Sequence, residues 1–303
     1  MTTQHNTEPR AVSRFDQQLA RIAVGGYDDA QEIRTATMNR VRDVIRKKNE
    51  GIPFDAVEDE KDDRDYDDKY ADDELADLID EMLAAGRLTD REYSYLADML
   101  ETANIASELE AQYKNVMRVV EAEPIYTEWL DNVNGVSVTL TARLIHAFGY
   151  CEDFSRVSNL WSYSGYAPGQ KRERGEQLNY SPDAKKLGWL VADSFIKQGD
   201  RSKYRTKFYD PYKSKQMRRM ERAEDMTDAQ LNEKPWTPPE SKGHADARAR
   251  RYVAKKFLKH YWAIARDMAG EDVPDEWVIT HGGHEKETHT FENPFHAKRV
   301  LSD

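Results

Sequence analysis

The stretch Leu130-Asp131-Asn132-Val133-Asn134-Gly135-Val136-Ser137-Val138-Thr139-Leu140-Thr141-Ala142-Arg143-Leu144-Ile145 sets an apolar-x-Gly-apolar-small turn before an Ala/Leu-rich helix that stops at Gly149. This is the form of a helix-hairpin-helix, in which a tight hairpin presents backbone N–H groups at a helix start. Such a turn grips a phosphate without reading a base, because amide donors and the positive helix end converge on one anion. Gly135 permits the turn, and Ser137 stands where a second glycine is commonest. The same residues also read as an ordinary buried turn between two helices. Both readings make this region helical.

Outward from this stretch, the chain divides by charge. Its 303 residues carry a net charge of -11. The segment Asp55 to Glu81 has 15 acids against 3 bases, whereas Lys171 to Arg266 has 24 bases against 13 acids. That second segment is +11, so everything outside it sums to -22. A basic back and an acidic front in one chain point to a polyanionic partner, and an acidic surface suited to a salty cytoplasm is the competing cause. Charged residues make up 33% of the chain, yet 6 Trp, 16 Tyr and 9 Phe supply a core, which argues against wholesale disorder. The single cysteine, Cys151, excludes an intramolecular disulfide framework and cannot alone build a cysteine-rich zinc site. No apolar run reaches the about 20 residues of a membrane span, and Met1-Thr2-Thr3-Gln4-His5 lacks the pattern of a signal peptide. A cytoplasmic location without membrane contact is expected.

The front half reads as helices. Val12 to Val24 and Asp28 to Lys48 are expected as two, broken at Gly25-Gly26, the second with Ile33, Val41, Val44 and Ile45 near one face and ended by Gly51 and Pro53. Asp55 to Asp73 has almost nothing to bury and reads as a solvated linker. Asp63, Asp65, Asp67 and Glu74 fall at calcium-loop positions, but Asp68 occupies the place where the sharp turn needs glycine. From Glu74, the residues Leu75, Leu78, Ile79, Met82 and Leu83 form one helical face with Gly86 as a stop, and Thr89-Asp90-Arg91-Glu92 is a capping box. The helix it opens carries Tyr95, Met99, Thr102, Ala106, Leu109, Tyr113, Val116 and Val120 at alternating spacings of four and three. That spacing fits either a homodimer seam through Tyr95–Val120 or a long core helix of a monomer.

Past the hairpin come Phe154-Ser155, Leu160-Trp161-Ser162-Tyr163-Ser164-Gly165-Tyr166-Ala167-Pro168, then Arg174-Gly175, and later Gly243-His244-Ala245 before a basic helix. In this order they resemble the C-terminal domain of the insertion-sequence 110/116/902 transposase family, over about Trp129 to Ala269, with Ser162 to Pro168 the most specific part. The resemblance implies DNA strand exchange by a RuvC-like acidic N-terminal domain with a serine nucleophile in this domain, guided by a structured RNA. The partners it implies are therefore DNA and a structured RNA. The N-terminal half here is helical throughout and shows no strand bearing a lone catalytic Asp. At the nucleophile position the chain has Arg174, whose protonated guanidinium cannot attack a phosphodiester. Ser162, Ser164 and Ser181 are nearby hydroxyls outside that turn. Nucleic-acid binding is thus expected more strongly than strand transfer. No cofactor is expected, magnesium being needed only by an active enzyme.

Read on its own, the basic half offers the same partner. Ser181-Pro182-Asp183 starts a helix with Leu187, Leu190, Val191, Ser194 and Phe195 on one face and Lys185, Lys186 and Lys197 elsewhere. Arg201, Lys203, Arg205 and Lys207 open a denser run to Arg222, interleaved with Tyr204, Phe208, Tyr209 and Tyr212. The basic groups can neutralise phosphates while the aromatics stack on bases, or else the aromatics are core under a solvated face. Thr227 to Lys242 reads as a loop, and a last helix from near His244 buries Val253, Phe257, Leu258, Tyr261, Ile264 and Ala265. On another side Arg248, Arg251, Lys255, Lys259 and Arg266 form a phosphate rail. The hairpin residues Gly135 and Ser137 and the cations Lys171, Arg172, Arg174, Lys185 and Lys186 complete the expected contacts. His281, His284, His289 and His296 lie in a polar tail without cysteines or regular zinc spacing.

The fold expected is mainly α, an acidic helical front whose long helix leads into a helix-hairpin-helix, transposase-like back. Its parts are residues 1–54, an acidic linker 55–73, a helical hairpin or coiled coil 74–124, a nucleic-acid-binding domain 125–270 and a tail 271–303. The function expected is that of a transposase-like DNA-binding protein of a mobile element. An active transposase or recombinase with a relocated nucleophile or a partner's active site is the alternative. A structural or assembly protein of the element is the third reading.

Overall fold

A computed structural model describes residues 14–52, 72, 74–169, 175 and 177–274. The calcium-loop acids Asp63, Asp65 and Asp67, most of the acidic linker, the Lys171–Arg174 segment and the histidine tail lie outside the described residues. The protein is mainly α, and among the described residues there is no strand. The chain divides into two compact units, Ile22–Val116 and the remainder.

In the unit Ile22–Val116 the first helix is unbroken: α1 runs Arg14–Glu50 straight through Gly25-Gly26. The expected break is absent, and the second glycine serves a close approach within the continuous helix. A Cβ on Gly26 would stand 2.2 Å from Cζ of the Tyr113 ring, whereas at Gly25 it would meet nothing within 4 Å. Val41 and Ile45 are fully buried and Val44 partly so, but Ile33 is exposed, because the buried face passes through Met38 instead. Those side chains join Leu75, Ile79 and Met82 of α2 (Leu75–Ala84) in one apolar cluster. The end of α2 is closed by the Arg87 and Gly86 amides donating to the Met82 and Leu83 carbonyls, the pattern of a helix stopped by a left-handed residue.

The capping box forms as read: the Glu92 amide donates to Thr89 Oγ1 at 3.3 Å and the Thr89 amide to Glu92 Oε2 at 2.9 Å. Hydrogen bonds from Lys48 first, then from Thr89, lower the Glu92 carboxyl to about 2. The helix that follows, α3 (Asp90–Met117), keeps Met99, Ala106 and Tyr113 of the expected seam on its inner side, but at the alternate positions the buried residue is the next one along. Leu96, Ala103, Ala106 and Glu110 are buried, while Tyr95, Thr102, Leu109 and Val116 are exposed. Val120 lies beyond the helix in a 3-10 turn, Arg118–Ala122. The shift has an electrostatic partner: Glu110 accepts from Arg34 Nε at 2.6 Å. Asp72 also pairs with Arg34 and Arg42.

The second unit is built around its last helix. α4 (Pro124–Glu128) and a 3-10 turn, Leu130–Asn132, precede α5 (Val138–Phe148), so the first arm of the expected hairpin is short. Then come α6 (Val157–Tyr163), α7 (Pro182–Lys197), α8 (Asp210–Glu224), α9 (Asp228–Asn232) and α10 (Lys242–Ala269). α9, capped by Thr227 and Gln230, occupies part of the segment expected to be loop. Just before α8 the backbone makes a π turn, Arg205–Tyr209. Pro211 has no N–H for the carbonyl of residue 207 and its ring crowds that carbonyl, which accounts for the widened turn.

From Phe257 to Arg266 every residue of α10 is buried, Lys259, His260 and Arg266 included. Trp129 stacks on Phe257 at 5.6 Å and Phe195 on Tyr204 at 4.5 Å. Polar tips are satisfied by backbone: Trp262 Nε1 donates to the Phe154 carbonyl at 2.7 Å and the Tyr261 hydroxyl to that of Gly149 at 2.8 Å. Tyr204, Phe208 and Tyr209 are core residues, which decides between the two readings of the interleaved aromatics for those three.

Candidate nucleic-acid interface

α10 changes character along its length. Its first half carries Arg248, Arg251 and Lys255 at spacings of three and four, on a face that lines a cleft together with α8 and the segment Pro235–Thr237. The cleft has a volume of about 420 Å³. Tyr212 of α8 and Tyr252 of α10 stack at 4.2 Å with planes 11° apart, forming one wall. Trp236 also lines the cleft, with the Arg219 guanidinium 5.2 Å from its ring centre. The floor is Gln216, 1% exposed. Tyr166 and Pro168, from the segment that carries the family resemblance, close the remaining side.

Each cation of the cleft is positioned by the protein. Arg251 donates to the Ala167 carbonyl at 3.0 Å and lies 5.5 Å over the Tyr166 ring, joining that segment to α10. Lys255 lies 4.1 Å over the Trp161 ring, whose Nε1 donates to the Lys255 carbonyl. Arg248 is committed to structure: it donates to Gln216 Oε1 at 3.2 Å, to the Thr237 carbonyl at 2.8 Å and to His244 Nε2 at 3.1 Å. It thereby holds the segment that bears Trp236.

A polar cluster fixes α8 against α10 beside the cleft. Asp246 accepts from Lys213 at 2.6 Å, from Arg250 at 2.6 Å and from the Tyr209 hydroxyl. Burial alone would raise this carboxyl, but the three hydrogen bonds outweigh it and hold it well below the usual carboxylate range. Arg250 also reaches Asp193 of α7 at 2.6 Å.

The other expected contacts are elsewhere. Lys259 is buried, so the rail from Arg248 to Arg266 ends at Lys255; both later cations turn into the fully packed half of α10. Arg266 donates to the carbonyls of Asp272, Cys151 and Phe154, a structural role. Arg205 is engaged by Asp210 and by the Ile196 carbonyl. Lys186, Arg201, Lys203 and Lys207 are exposed, and Lys185 is half-buried against Tyr180; none of them lines the cleft. At the hairpin, Gly135 has φ +106°, and a Cβ there would come within 2.9 Å of the Phe195 ring. Its carbonyl accepts from Ser194 at 2.6 Å, and Ser137 caps α5 by accepting from the Leu140 amide. Lys171, Arg172 and Arg174 lie outside the described residues.

Of the candidate hydroxyls, Ser164 is fully buried, Ser181 caps α7 and Ser162 is exposed. Among the described residues no three His, Cys, Asp or Glu side chains gather as a metal site, and no helix is long and apolar enough to cross a membrane. Comparison with protein-family models, curated proteins and solved structures finds no match for the chain.

Proposed function

We propose that the protein is a transposase-like nucleic-acid-binding protein that makes no strand-transfer chemistry, and that the cleft on the first half of α10 is its contact with the strand. One observation carries this reading: Arg219, Arg251 and Lys255 meet around a single opening walled by Tyr212, Tyr252 and Trp236. Cations that neutralise phosphates beside rings that stack on bases are what a backbone-tracking groove needs. The same composition suits no apolar metabolite, since the cations would be desolvated without a counter-charge.

Binding of labelled DNA and RNA by the full chain, followed across a salt series with magnesium present, tests the reading. Affinity is expected to fall steeply with salt, and denaturing gels of the same mixtures to show neither cleavage nor a covalent adduct. Salt-independent binding, or none at low salt, contradicts the binding half. An adduct lost on changing Ser162 replaces the second half with an enzyme.

A further inference from the structure

We propose that the cleft takes one unpaired nucleotide, with an acceptor on its base held by the Gln216 amide and its ring against the aromatic walls. The inference rests on the nucleic-acid reading above and makes it specific to unpaired over paired strands. Gln216 is 1% exposed, and its Nε2 has no hydrogen-bond partner among the described residues. The orientation of the amide is set by chemistry: a guanidinium has only donors, so the Gln216 atom facing Arg248 Nη1 at 3.2 Å must be the oxygen. That leaves a buried N–H donor without a partner among the described residues, on a side chain that lines the cleft. Buried donors are nearly always paired in folded proteins, so one left over on a cleft-lining side chain calls for an acceptor, which a ligand in the cleft can supply.

The surroundings narrow the ligand. Trp236 and the stacked Tyr212–Tyr252 pair are flat apolar surfaces, as an unstacked base requires. Arg219 and Arg251 stand beside them for the attached phosphate. A base inside a duplex has both faces covered by its neighbours, so it cannot use the aromatic walls.

The test compares two short duplexes, identical except for one bulged 2-aminopurine, binding the full chain. The bulged duplex is expected to bind at least tenfold tighter and to change its emission on binding. Gln216→Glu keeps the oxygen that Arg248 needs and removes the donor, so it should weaken bulge binding about tenfold. Trp236→Ala, at a half-buried loop position, should do the same by removing the wall. Equal binding of the two duplexes, or a preference that survives both substitutions, overturns the proposal while leaving nucleic-acid binding in place. If neither duplex binds, the nucleic-acid reading falls and this one with it.

Discussion

His260 shows how strongly position along α10 governs a side chain. It sits buried in the packed half of the helix, with Nδ1 2.7 Å from the Tyr204 hydroxyl. Burial, aided by Lys259 and Lys256, lowers it from an ordinary 6.5 to about 3. Between those two values the unfolded chain binds a proton that the folded chain does not, so stability falls as the pH drops through that window. For one such proton the loss between pH 7 and pH 5 is about 2 kcal/mol. His260→Gln retains an acceptor for Tyr204 and does not titrate. Urea unfolding at the two pH values should therefore show the variant losing less stability than the native protein by that amount, and parallel losses would place the histidine in water. The same burial explains Lys259, which helical spacing sets in line with Lys255 but which packing removes from the surface. Periodicity assigns a residue to a stripe. Whether the stripe is wet depends on what packs against it, and one sequence does not contain that.

Among the elements, those stabilised locally were legible. The Gly86 stop, the Thr89–Glu92 box and the Ser181-Pro182 start all involve partners within five residues, and all form. Gly25-Gly26 was not legible, because its partner is Tyr113, far along the chain. This leads to a paired prediction. Gly25→Ala adds a methyl into open space on an exposed helix position and should stabilise by about 1 kcal/mol. Gly26→Ala forces the Tyr113 ring out of its packing and should destabilise by about 1–3 kcal/mol. In a Tyr113→Ala background the two substitutions should become alike, which thermal unfolding of the set can check. A similar Gly26→Ala penalty without the ring would mean that α1 bends there after all. The α3 seam was legible at Met99, Ala106 and Tyr113 but displaced by one at the alternate positions, where the buried line includes the acid Glu110, paired with Arg34, which a hydrophobic count passes over.

At the scale of the molecule, the basic half points to the proposed partner but not to the place of contact. Helical spacing brought Arg248, Arg251 and Lys255 together, and the Tyr166-Ala167-Pro168 segment belongs to the same cleft. Gln216 and Trp236 were missed. A tryptophan among Pro235, Pro238 and Pro239 in a polar segment was an available signal, since such a segment has little reason to keep a large ring without something to cover it. Gln216 had no signal, because its meaning comes from Arg248 on another helix. Hence the measurement that bears most directly on the account is the salt dependence of binding to a labelled single strand, for the native chain and for Arg219→Ala combined with Arg251→Ala. Removing two phosphate contacts should make the slope of log affinity against log salt shallower by about 1.4 and weaken binding at every salt concentration. Coincident slopes, or a native slope near zero, would contradict the claim that this cleft holds the strand.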